Sequence, residues 1–237
     1  MSVRTVLDEP CSRRIYHNAG NPPLLALVPP SGEGSVLDCG CGAGDNARAL
    51  ASMGWTVDGV TISADEASLA ERYCRRVEIA NLEAGLPRLD TSYDVVLMSH
   101  VLEHLVSPGP LLSDVRTVLK PAGRIVVALP NVLLWRNRLA FLCGSFEYTQ
   151  EGIMDSTHVR FYTHASGRRL LERHGFKVIH SSASGGVGLG VLRRWLPERA
   201  VSALDRTGCR WWPGLLGMQS LYVGVVAGRS SIGHGEL

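Results

Sequence analysis

Between residues 35 and 130, short apolar runs alternate with stretches of helical periodicity, and this alternation leaves the chain few folds to choose from. The runs SVLDCG (35–40), TVDGVTI (56–62), VEIANL (77–82), YDVVLMS (93–99) and RIVVALP (124–130) are rich in β-branched and apolar residues. Between them lie helical stretches: about Asp45 to Met53, then SADEASLAERYCRR after Ser63, then LLSDVRTVLK (111–120) ahead of the turn Pro121-Ala122-Gly123. Ser63 is a helix cap, and Glu66 three residues on completes a capping-box pattern. Strands that alternate with helices predict a parallel sheet covered on both faces. Right-handed crossovers then make it a doubly wound α/β fold. With 45% hydrophobic and 19% charged residues, the chain can fill the core such a sheet needs.

The flanks follow other patterns. Residues 1–22 read as an N-terminal arm. NPPLLALVPPSGEGS (21–35) holds a helical turn or two between proline pairs that stop it at both ends. After Pro130 the spacing predicts a helix over about 132–143, a long loop dense in aromatics, His and Arg, and a helix around 165–174. The strand FKVIHSSA (176–183) comes next, then a glycine break and an amphipathic segment. SLYVGVVAG (220–228) reads as a last strand. The expected organisation is one domain over 1–237. It comprises the arm (1–22), an α/β core (24–131), a helix and lid loop (132–175), and closing strands (176–228) with an insertion at 189–216.

The formal charge of +2 and the scattered arginines give no basic stripe, so a nucleic-acid partner is not expected. The six cysteines form no CxxC pair, residues 1–15 do not read as a secretory leader, and no apolar run reaches spanning length. The expectation is a reduced, cytoplasmic protein with no stable membrane insertion.

The stretch VLDCGCGAG (36–44) turns from strand to helix with glycines at 40, 42 and 44. Backbone amides there are expected to approach a ligand closely, next to the positive end of a helix. A dinucleotide pyrophosphate and a nucleoside carrying an amino-acid carboxylate both suit such a corner, and so does a purely structural turn. The spacing is G-x-G-x-G rather than G-x-G-x-x-G, and no carboxylate sits at the second-strand tip to hold a nicotinamide ribose. Asp38, just before the glycines, suits an ammonium better than a phosphate.

VLDCGCGAG, VEIANLEAGLPRLDTSYDVVLMSHVLEHL and LLSDVRTVLKPAGRIVVALPN together resemble the class I S-adenosylmethionine-dependent methyltransferases over residues 24–131. The resemblance implies a Rossmann-like seven-stranded sheet of order 3-2-1-4-5-7-6 with an antiparallel last strand, and S-adenosylmethionine as cofactor. It implies that Asp38, Gly40, Gly42 and Gly44 hold the methionine part, that Asn81 and Leu82 sit at the adenine, and that Ser99 and His100 lie under the cofactor. At the second-strand tip, where most members carry an acidic residue for the ribose, this chain has Thr61 and Ile62; GVTIS there resembles cyclopropane fatty acid synthases. YHNAGNPPLLALVPP and LPNVLLWRNRLAFLCGSF followed by THVRFYT are similar to a branch with MetW-like proteins and enzymes of glycan, sugar-nucleotide and natural-product pathways. In that branch the arm often closes over the cofactor, and the resemblance implies Tyr16 and His17 as candidate cofactor or acceptor contacts.

Methyl transfer to a hydroxyl needs a base, and His104 and His158 are the candidate catalytic residues. Asn131, Trp135, Tyr148, Arg160 and Tyr162 are the expected substrate contacts: aromatic faces suit a flat or apolar acceptor, and Arg160 suits an anionic one. His100 and His104 lie four apart, but no third ligand is evident in the sequence, so no metal is expected. The reading is methyl transfer to a small molecule, with oxygen as the acceptor atom, in a natural-product, sugar or glycan setting. The alternative is a non-catalytic cofactor-binding partner of MetW type. The segment 189–216 fits a packed insertion, a homodimer contact or an interfacial segment.

Overall fold

The computed structural model describes residues 20–30, 33–185 and 197–228. Seven strands form one sheet of order β3-β2-β1-β4-β5-β7-β6, as the resemblance implied: β1 Ser35–Cys39, β2 Thr56–Thr61, β3 Arg76–Ile79, β4 Tyr93–Ser99, β5 Leu119–Pro130, β6 Phe176–Ser184 and β7 Gln219–Val226. The pairs β1–β2, β1–β4 and β2–β3 are parallel, while β6 and β7 run antiparallel with a bulge between Val178 and His180.

The chain divides into two compact units. The first holds the residues up to Ser99 and Ser107–Val126. Its helices are α1 Pro22–Leu25, α2 Asp45–Ser52, α3 Ala64–Ala70 and α4 Pro108–Val118. The strand interiors are fully buried: Val36, Leu37, Val60, Val96, Leu97 and Met98 have no accessible surface. This is the continuous apolar run that a sheet covered on both faces requires. Helix α4 starts three residues before the expected Leu111, because Pro108 occupies its first turn, where a missing N–H costs nothing. Strand β5 starts at Leu119 rather than Arg124. The bare Cα of Gly123 makes room there, since a Cβ would lie 2.9 Å from the carbonyls of Tyr93 and Lys120. One buried charge is paired: Asp58 accepts from Arg75 Nε at 3.0 Å and from the Tyr93 hydroxyl at 2.8 Å.

The second unit holds His100–Val106 and the chain from Val127 onward. Its helices are α5 Trp135–Leu142, α6 His164–Arg173, α7 Glu198–Trp211 and α8 Pro213–Leu216. Thr163 caps α6 in a reciprocal capping box with Ser166. Leu129, Leu171, Phe176 and Tyr222 are among its buried residues. Gly167 lets the Tyr222 side chain approach α6, and the Tyr222 hydroxyl donates to the His164 carbonyl at 2.7 Å. Helix α5 is shorter than the expected 132–143 and has no buried residue. No helix among the described residues is long and apolar enough to cross a membrane.

Gly44 is the corner position where glycine is most needed. Its φ is +89°, and a Cβ there would lie 2.9 Å from the Ala70 Cα on α3. The Gly44→Ala protein is expected to lose about 3 kcal/mol, from the left-handed backbone and the displaced helix together. Urea unfolding of the two proteins measures the difference, and a loss below about 1 kcal/mol would contradict it.

Candidate functional site

In the first unit the chemistry gathers where β1 meets α2. Asp38 lies in register with Gly59 on β2 and Leu97 on β4, so strands flank it on both sides. It has no accessible surface, and neither carboxylate oxygen has a hydrogen-bond partner. Burial alone raises its pKa to about 7. A buried carboxylate without a donor is poised for a cation. Gly40, Gly42 and Gly44 all take positive φ.

The corner differs from the expectation in one respect. The amides of Gly40 and Cys41 both donate to the Val60 carbonyl, at 2.8 and 3.0 Å, and that of Gly44 donates to the Cys41 carbonyl at 2.9 Å. These three N–H groups therefore bind the corner to itself. The glycines shape a tight turn, and Asp38 stands behind it as the buried carboxylate without a donor.

Thr61 is buried at the tip of β2, and Ile62 is exposed beside it. The Thr61 hydroxyl donates to Glu66 Oε2 at 2.7 Å. Glu66 is itself buried, so this unit places a carboxylate next to the strand tip after all. Ser63 caps α3 as expected, accepting from the Glu66 amide. Sequence reading assigned Glu66 to the cap alone; its five-residue distance from Thr61 was the available signal. Asn81 is exposed and Leu82 buried; the Asn81 side-chain oxygen caps the 3-10 turn Leu82–Ala84 by accepting from the Glu83 amide at 2.9 Å. Ser99 Oγ accepts from Asn21 Nδ2 at 3.2 Å, while the Asn21 amide donates to Asn46 Oδ1 on α2 at 2.8 Å. Asn21, which sequence reading passed over, thus ties the start of the chain's described part to both the corner helix and the end of β4. Tyr16 lies outside the described residues, as do residues 189–196 of the expected insertion.

In the second unit the residues converge around Glu103. The amides of Val159 and Arg160 both donate to the Glu103 carbonyl at 3.0 Å, which pins the segment carrying His158 against the 3-10 turn Leu102–His104. Asp155 Oδ1 accepts from the Thr157 amide at 2.8 Å and from its hydroxyl at 2.7 Å. That turn presents the Thr157 carbonyl to His104 Nδ1 at 3.2 Å. His158 Nδ1 meets the Ile153 carbonyl at 3.0 Å. The two imidazoles sit edge to face, 4.8 Å between centroids. Burial holds His104 below its ordinary pKa, against the opposing pull of Glu103.

His100 is the one non-glycine residue with positive φ among the described residues, at +58°. Its ring lies 3.1 Å from Glu103 Oε1 and 2.8 Å from Gln219 Oε1. Burial would lower its pKa, but the bond to the Glu103 carboxylate prevails and raises it. Both ring nitrogens of His100 are thus engaged, one by Glu103 and one by Gln219.

The expected acceptor contacts separate into two groups. Asn131 is completely buried, and its amide donates to the carbonyls of Gly214 and Gly217 at 3.1 and 2.8 Å. Tyr162 is buried too, with burial pushing its phenol up to about 12. Both are corrected from acceptor contacts to scaffold: the Asn131 amide is spent on those two carbonyls, and Tyr162 keeps little surface. Arg160 is exposed, but its Nε donates to the Val106 carbonyl at 2.8 Å, which holds the guanidinium against the backbone. Trp135 is half-buried at the start of α5, with the Arg136 guanidinium 5.7 Å over its ring. Tyr148 is exposed and packs with Phe146, which stacks on Phe141 at 5.2 Å and meets Phe161 edge-on at 5.8 Å. This aromatic cluster, rather than the individual lid residues, is what sequence reading could sense but not assemble.

The sheet order and the acid-tipped glycine corner define the Rossmann-like methyltransferase class. A family model described as "Methyltransferase domain" matches residues 13–181, and the chain belongs to that family, with S-adenosylmethionine as its cofactor. The chain is 35% identical over 147 residues to a Mycolicibacterium smegmatis protein described as "Probable S-adenosylmethionine-dependent methyltransferase", covering 60% of this chain and 52% of the relative. It is 30% identical over 131 residues to a ubiquinone biosynthesis O-methyltransferase of Burkholderia lata, covering 52% and 55%. The chain thus spans about half the length of these curated relatives. A SAM-dependent methyltransferase structure from Archaeoglobus fulgidus matches the fold at a TM-score of 0.56 and 22% identity, over 80% of this chain and 85% of that one.

Proposed function

We propose that this methyltransferase transfers a methyl group from S-adenosylmethionine to a hydroxyl of a small molecule. Bound S-adenosylmethionine supplies an electrophilic methyl on a sulfonium centre. The observation that carries the reading is the histidine pair. Each imidazole gives its Nδ1 proton to a main-chain carbonyl, so in its neutral form each offers Nε2 as an acceptor. Groups of that kind suit the removal of a proton from an acceptor hydroxyl. The relative named as an O-methyltransferase supports oxygen as the acceptor atom. Tyr148, Trp135 and the aromatic cluster around Phe146 suit a flat acceptor, which favours a phenolic or quinol-type natural product over a sugar.

In the same reading Asp38 takes the amino group of the methionine part, and the Thr61–Glu66 pair takes the ribose hydroxyls. Leu82 packs on the adenine, beside Asn81. Ser99 and the Gly40–Gly44 turn shape the floor, and His100 holds Glu103 in place.

Incubating the protein with methyl-labelled S-adenosylmethionine and a panel of catechols, quinols and sugars tests it. A labelled phenolic ether is expected, and in the His104→Ala/His158→Ala protein its kcat should fall about 100- to 10,000-fold. Tight cofactor binding with no labelled product from any acceptor would overturn the reading in favour of the non-catalytic partner role.

A further inference from the structure

Glu103, His104 and His158 form a cluster that the cofactor corner does not need. The carbonyls of Thr157 and Ile153 can only accept hydrogen bonds, so Nδ1 of each histidine carries the proton. That leaves Nε2 of each ring as the atom that can offer a lone pair to a cation. Glu103 stands beside them with no accessible surface. Its Oε1 engages His100 at 3.1 Å and lies 4.0 Å from His158 Nε2, and its Oε2 meets no donor at all. One donor atom from each of Glu103, His104 and His158 gathers within 4.8 Å. The unpartnered Oε2 and the two Nε2 atoms gather as acceptors without a donor, an arrangement that a cation would satisfy.

We propose that Glu103, His104 and His158 bind a divalent transition-metal cation. Two imidazoles and one carboxylate make a donor set for zinc or its first-row neighbours; magnesium and calcium prefer all-oxygen sites. The surroundings also fit. A metal-bound histidine usually gives its other ring nitrogen to a carbonyl or carboxylate, which fixes the tautomer, and both histidines do so here. The Asp155–Thr157 turn sets one of those carbonyls, and the Val159 and Arg160 amides hold the two ligand-bearing segments together. Three protein ligands leave coordination positions open. An acceptor hydroxyl in such a position would lose its proton to solvent more readily, so the cation rather than an imidazole would activate it. That consequence rests on the proposed O-methylation; the cation site does not.

The test uses the full 237-residue chain, stripped with chelator and titrated with zinc, with bound metal counted after dialysis and cobalt used as a spectroscopic substitute. One equivalent per chain is expected, with cobalt d–d bands free of thiolate charge transfer. His158→Ala and Glu103→Gln should each weaken zinc binding at least about tenfold, while His174→Ala leaves it unchanged. Binding of the demethylated cofactor product verifies that each variant is folded; if Glu103→Gln fails that check, His158→Gln replaces it. No bound zinc, thiolate bands in the cobalt protein, or unaltered zinc affinity in the His158 variants would overturn the site. One equivalent of zinc without methyl transfer would sustain the site and sink the proposed function. Methyl transfer by a protein that binds no zinc would do the reverse.

Discussion

At pH 8 the Asp38→Asn protein should melt at a higher temperature than the wild type and should no longer bind S-adenosylmethionine. The reason lies in the raised pKa of Asp38, about 7 in the folded chain against an ordinary 3.8. A carboxyl whose folded pKa is raised stabilises the fold while it is protonated. That contribution is complete below pH 3.8 and is lost as the pH rises through 7. Above pH 7 the buried, unpartnered carboxylate therefore destabilises the cofactor-free protein by about 4 kcal/mol relative to its acid form. An asparagine removes the charge but leaves a buried amide without partners, at a cost of about 1–3 kcal/mol. The net gain is about 2 kcal/mol, or roughly 4–8 °C in Tm for a domain of this size.

The same carboxylate makes cofactor binding depend on pH in the opposite sense. An ammonium needs Asp38 ionised, so binding below pH 7 must first remove its proton. Affinity for the demethylated product, followed by calorimetry, should fall about tenfold per pH unit between 7 and 5, and that slope should vanish in the asparagine variant. A destabilised Asp38→Asn protein at pH 8 that still binds cofactor with wild-type affinity would remove Asp38 from the site.

Asp38 was legible in the sequence because its position follows from local order alone: a strand, then an acid, then glycines. The same holds for the seven strands, whose apolar runs need no knowledge of their neighbours. What could not be read depends on distant segments meeting. Nothing in THVRFYT shows that Val159 and Arg160 will dock on the Glu103 carbonyl, and so nothing shows that His158 will come to lie beside Glu103 and His104. Asn131 looked like an acceptor contact because it follows the fifth strand. It became a scaffold residue because the turn at Gly214–Gly217, more than eighty residues later, takes both its amide hydrogens. The amides of Gly40 and Cys41 were unreadable for the same reason: the Val60 carbonyl on the neighbouring strand takes them both.

The ribose subsite gives the second large effect. Glu66 sits one turn into α3, yet its carboxylate turns back to the Thr61 hydroxyl at the β2 tip. In the proposed function this carboxylate does what an acid at position 61 would otherwise do, with Thr61 orienting it. Hydrogen bonds from ribose hydroxyls to an ionised carboxylate are worth about 1.5–3 kcal/mol, so Glu66→Ala should raise the Kd for the demethylated product about 10- to 100-fold. A general packing defect could weaken binding as much, so the ribose itself must be varied. The 2′,3′-dideoxy product analogue should bind the wild type as weakly as the full product binds the variant, and the variant should lose little more against that analogue. Thr61→Val should produce a smaller loss of the same kind, because it frees the carboxylate without removing it. If Glu66→Ala weakened binding of the dideoxy analogue by the full factor as well, the two losses would be independent, and the acid would be acting through the fold of α3 rather than on the ribose.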